Sequence, residues 1–119
     1  PPSAIRLSLV GSELCISGMY HRKVHSPASC VWKLDVPRRL PLMVCAAQDA
    51  TGTLCVSITT HSHELATAHA VDDTHYVFLS TTPLEAGTYL LRVHGMAPVH
   101  VDMFGAQPVT LAPHSSELL

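Results

Sequence analysis

Charge is scarce in this chain. Only 13% of its 119 residues are Asp, Glu, Lys or Arg, and aromatic residues make up 5%, with a single Trp. A nucleic-acid surface is built from clustered bases and stacking aromatics, and a net charge of −2 leaves little to build one from. No nucleic acid partner is expected. No apolar run approaches the roughly eighteen residues that a membrane-crossing helix needs. There is no Gly-rich phosphate loop, no Cys-x-x-Cys pair and no His-Glu-x-x-His helix, so nucleotide transfer and the common zinc chemistries have no signature here. Solenoid-length repeats and low-complexity segments are also missing.

What is present is apolar. Hydrophobic residues make up 47% of the chain, enough to exclude disorder, and the length suits one domain. The opening Pro1-Pro2-Ser3-Ala4 has neither the basic start nor the apolar block of a signal peptide, and no initiator Met. A domain excised from a longer protein is expected. Of the four cysteines, Cys15, Cys45 and Cys55 sit in apolar, strand-like runs, where a free thiol packs as a small hydrophobe. Reduced, buried cysteines and a cytoplasmic location follow as expectations, although an even number would also permit two disulfides.

The chain is organised around residues 83–95. Glu85-Ala86-Gly87 supplies a tight bend, then Tyr89, Leu91 and Val93 fall on one face while Thr88, Arg92 and His94 fall on the other. A strand of this kind needs neighbours on both sides. Alternation predicts further strands at Ile5–Val10, Leu14–Tyr20, Cys30–Asp35, Thr53–Thr60, His75–Ser80 and Val99–Phe104, with a short one at Val109–Leu111. Leu42–Ala47 is unbroken apolar, as for a strand buried on both faces. With Thr53–Thr60 it predicts a hairpin closed by a five-residue loop. His21–Pro27 is polar and ends in Pro, which predicts a loop. Residues 61–70 permit either a short helix or a strand, and Asp72-Asp73 should turn the chain. The fold expected is all-β: an antiparallel β-sandwich of about eight strands over residues 1–112, with a loose tail at 113–119.

From Trp32 onward the order of pieces resembles the C2-like domain III of calpains. The matching pieces are the apolar strand Leu42-Met43-Val44-Cys45-Ala46-Ala47-Gln48, the strand 53–60, the turn Leu84-Glu85-Ala86-Gly87-Thr88-Tyr89 and the Leu91-Arg92-Val93 strand. The same turn and strand are also similar to bacterial pre-peptidase C-terminal domains. The resemblance implies a β-sandwich that is not itself catalytic and stands beside a protease-like domain. Calpain domains of this type are associated with phospholipid and calcium through an acidic loop. This chain has no run of acids longer than Asp72-Asp73, so calcium does not carry over.

Three groups of residues bear on chemistry. Arg6, Arg22, Lys23, Lys33, Arg38 and Arg39 all precede residue 40, leaving Arg92 as the sole later base. His21, Arg22, Lys23 and His25, together with Arg38 and Arg39, flank the Trp32 strand and could converge on one end of the sandwich. They would face an acidic protein or anionic lipid, and the plainer alternative is an ordinary solvated surface. Histidine is abundant at nine residues. On an extended strand His61 and His63 would share a face and could bind a metal, but solvated surface histidines are the favoured reading and no metal is expected. A Cys–His nucleophile pair lacks any residue marking an activated thiol. Trp32 and Tyr89 are expected in the core; an exposed Trp32 beside Tyr20 would instead suggest a carbohydrate platform. The function expected is a non-enzymatic interaction or accessory module without a cofactor. It would contact a protein partner or another domain of its own chain, with anionic lipid or carbohydrate binding as the alternative. Self-association through a sheet edge remains open.

Overall fold

The computed structural model describes residues 19–70 and 74–114. Those residues form nine strands and no helix. In chain order they are β1 (Tyr20–Ser26), β2 (Ser29–Val36), β3 (Leu42–Gln48), β4 (Leu54–Thr59), β5 (Glu64–His69), β6 (Tyr76–Ser80), β7 (Gly87–Gly95), β8 (Val99–Gly105) and β9 (Thr110–Pro113). All pairings are antiparallel. One sheet has the order β1-β8-β3-β6 and the other β5-β4-β7-β2-β9. This is the all-β sandwich that the alternation of apolar and polar residues dictates.

The core lies between the sheets and follows that alternation strand by strand. Leu34, Val44, Val56, Ile58, Leu91 and Val101 are fully enclosed. β7 holds a central place, paired with β4 on one side and β2 on the other, and Tyr89, Leu91 and Val93 all point inward. Gly87 opens the strand at a φ of 152°, in the region that favours glycine. Two residues on, the buried Tyr89 turns its hydroxyl back to donate to the Glu85 carbonyl at 2.6 Å. This is the arrangement of a tyrosine corner, and it fixes the bend entering the strand. Trp32 is buried as expected, and its Nε1–H donates to Ser26 Oγ at 3.1 Å. That pairing is what allows an indole and a hydroxyl to share an apolar interior.

Four expectations need correction. Residues 21–26 are not a loop but most of β1, which among the described residues is an edge strand pairing with β8 along its whole length. The polar composition misleads because only Val24 and Ser26 are buried from this strand, and Pro27 stands just past its end, where it breaks no ladder. β3 and β4 are not a hairpin: β3 pairs with β8 and β6, while β4 pairs with β5 and β7 in the other sheet. The segment between them crosses the sandwich. β3 is buried on one face only, for Met43, Cys45 and Ala47 are half-exposed. The cysteines differ too: Cys45 and Cys55, expected to pack in the interior, are free but half-buried thiols, as is Cys30, while Cys15 lies outside the described residues.

Residues 64–69 form a strand, which settles the ambiguity there in favour of alternation. β9 runs to Pro113, and the His114 N–H donates to the Val31 carbonyl at 2.9 Å, so the chain is tied to the sheet up to that point. The strand predicted at Ile5–Val10, all of Leu14–Tyr20 before Met19, the Asp72-Asp73 turn and the tail from 115 onward lie outside the described residues.

Candidate functional site

The outer face of the four-stranded sheet brings together His21, His25, His100, Cys45 and Asp102 from three neighbouring strands. Val99, Val101 and Met103 of β8 point into the core, so His100, Asp102 and Phe104 point out. Residues opposite one another in antiparallel strands share a face, which makes the face a grid. His21, Phe104, Met43 and Ser80 form one row. Lys23, Asp102, Cys45 and Phe78 form the next, and His25, His100, Ala47 and Tyr76 the third.

The grid is polar on the β1 side and apolar on the β6 side. His21 lies flat on Phe104, with ring centroids 4.6 Å apart and planes 6° from parallel. Its Nε2–H donates to Asp102 Oδ1 at 2.6 Å. Phe104 is buried although it belongs to the outer face rather than the core cluster. His25 and His100 meet edge to face at 4.7 Å. On the far side Tyr76 and Phe78 are 58% and 47% exposed, side by side on the edge strand β6.

Cys45, Asp102 and His21 occupy adjacent strands, which invites a nucleophilic reading. The electrostatics oppose it. Burial pushes the Cys45 thiol up to about 11, and the neighbouring Asp102 carboxylate pushes in the same direction. An activated cysteine needs the opposite surroundings, a positive neighbour that stabilises the thiolate. Cys45 is therefore a neutral thiol at physiological pH. Alkylation of Cys45 by iodoacetamide should be very slow at pH 7.5 and should accelerate about tenfold per pH unit up to about pH 11. Peptide mapping of the labelled protein would measure this. Asp102→Asn, which removes the second cause, should shift the profile to lower pH. The linked stability has a fixed sign. With the thiol at 9.0 in the unfolded chain and about 11 when folded, the contribution is full below pH 9 and is lost as pH rises towards 11.

The basic residues singled out from sequence do not form one patch. His21, Lys23 and His25 face outward in the grid, and Lys23 sits opposite Asp102. Arg22 belongs to the other side of β1 and reaches the Leu111 carbonyl at 3.4 Å. Arg38 and Arg39 are exposed between β2 and β3, where Arg39 Nε donates to Glu85 Oε2 at 3.0 Å. That pair is open to water on both sides and adds little stability. His61 and His63 lie not on a strand but in the β4–β5 turn, where Ser62 Oγ and His63 Nδ1 are 2.9 Å apart. Among the described residues no three His, Cys, Asp or Glu side chains converge as a metal site. His100, Asp102 and Phe78 were legible only as strand residues. Nothing local in the sequence shows that β8 lies between β1 and β3.

No protein-family model matches the chain, and no curated protein matches it. Among the described residues no helix is long and apolar enough to cross a membrane.

Proposed function

We infer that the chain is a non-catalytic β-sandwich module that docks a protein surface with the outer face of its four-stranded sheet. The observation that carries this is the neighbouring exposure of Tyr76 and Phe78 beside the half-buried Met43, Cys45 and Ala47. Aromatic side chains surrounded by a polar border are the composition of interface centres, and large exposed aromatics in a contiguous patch are uncommon otherwise. His21, Lys23, His25 and His100 supply the polar border. The neutral Cys45 argues against a thiol nucleophile on this face. The calpain-like turn and strand at 83–95 support an accessory domain in the cytoplasm, contacting either another protein or another domain of a longer chain. Carbohydrate recognition loses its platform because Trp32 is buried away from the exposed Tyr20.

A photo-crosslinking residue at position 78 tests this in cell extract, with position 67 on the opposite sheet's outer face as the control. The expected result is a discrete protein adduct from position 78 that Tyr76→Ala weakens. Equal labelling from both positions would remove the reading. Binding to anionic vesicles that depends on Arg38 and Arg39 would replace it with a lipid-binding one.

A further inference from the structure

His25 and His100 face each other directly across β1 and β8, both exposed on the outer face, with ring centroids 4.7 Å apart. That separation has a chemical meaning. A zinc ion bound about 2.0–2.1 Å from an imidazole nitrogen lies about 3.2 Å from the ring centre. Two imidazoles on one ion at angles between a right angle and tetrahedral then have centroids about 4.5–5.2 Å apart. The observed spacing falls inside that range before any metal is added. The planes stand at 79°, so each ring must turn about its Cβ–Cγ bond to aim a nitrogen at a common point. Exposed rings turn on the picosecond to nanosecond scale without moving the backbone.

We propose that His25 and His100 form a cross-strand chelate for a borderline divalent cation such as zinc, which pins the edge strand β1 to β8. The surroundings permit it. Ala47, next to His100 in the row, is too small to crowd an ion, and Lys23, one row away, stands opposite the Asp102 carboxylate in the register. Two ligands leave two positions for water, since no third His, Cys, Asp or Glu joins the pair among the described residues. The site differs from the other histidine groupings in the chain. His61 and His63 occupy a turn, and His63 Nδ1 is already shared with Ser62. His69 and His94 flank Cys55 by register, but His94 Nδ1 contacts Ser29 Oγ and Cys55 Sγ lies against Thr67 Oγ1.

Zinc chloride titrated into the protein, followed through the imidazole carbon–proton resonances, tests the proposal. The rings of His25 and His100 should shift together and saturate at one zinc per chain. The unfolding temperature should rise once zinc exceeds the dissociation constant. His25→Ala and His100→Ala should each weaken binding at least tenfold and abolish the thermal shift, whereas His63→Ala should leave both unchanged. Both altered residues are exposed, so the variants should fold, and their zinc-free unfolding temperatures check that they do. Saturation at the His61–His63 turn or beside Cys55, or unchanged affinity in His100→Ala, would overturn the assignment.

Discussion

Leu91→Ala should cost about 3–5 kcal/mol of folding stability, the largest loss expected from any single truncation here. Leu91 is fully enclosed at the middle of β7. In the sheet it stands between Ile58 of β4 and Trp32 of β2, both buried, and the facing sheet closes the remaining side. A cavity there has no mobile wall to collapse inward, which puts the cost at the high end of the range for such truncations. Against a typical total of about 5–15 kcal/mol, the loss is roughly a fifth or more of the whole. Urea denaturation should show the midpoint falling with the slope unchanged. Leu65→Ala is the control. It removes the same side chain from the exposed face of the edge strand β5 and should change stability by less than about 0.5 kcal/mol. A loss below about 1 kcal/mol for Leu91→Ala would mean that β7 does not organise the core.

β7 is also where sequence and structure agree best, for a physical reason. Its inward residues, its entry glycine and its corner tyrosine all act within thirteen consecutive positions, so local periodicity reports them. β2, β4, β6 and β8 were legible on the same basis. β1 was not, because an edge strand can keep its outward side polar and bury only two residues, as Val24 and Ser26 show. Read as loop residues, His21, Lys23 and His25 had no common face; strand geometry gives them one. The larger gap is pairing. Period-two alternation says which side of a strand faces the core but not which strand lies beside it. The contacts of the outer face, His21 with Asp102 and His25 with His100, join residues more than seventy positions apart. No local pattern encodes them.

Gln48→Ala tests the other misread element and should cost about 1–3 kcal/mol, because a buried amide and its two hydrogen bonds to part-buried backbone groups are lost together. Gln48 ends β3 and is only 1% exposed. Its Nε2–H donates to the Thr53 carbonyl at 3.1 Å, and its Oε1 accepts from the Met96 N–H at 2.8 Å. Those partners belong to different crossings: residues 49–53 carry the chain from the four-stranded to the five-stranded sheet, and residues 96–98 carry it back. One amide therefore ties together two passages between the sheets. In a β3–β4 hairpin the same residue would sit in an exposed turn, where substitution changes stability by less than about 0.5 kcal/mol. The measured loss thus separates the two topologies without a new structure. Gly95 makes the test sharper. A Cβ added there would lie 2.7 Å from Gln48 Oε1 and 3.0 Å from Val99 Cγ2. Gly95→Ala alone must push aside a buried amide held at both ends, and a loss of about 2 kcal/mol is expected. Once Gln48 is alanine that obstacle is gone, and only the Val99 contact resists. The double variant should therefore be more stable than the sum of the two single losses predicts, by roughly 1 kcal/mol. Strict additivity in the denaturation cycle would mean that the Val99 contact, and not the Gln48 amide, resists a Cβ at Gly95.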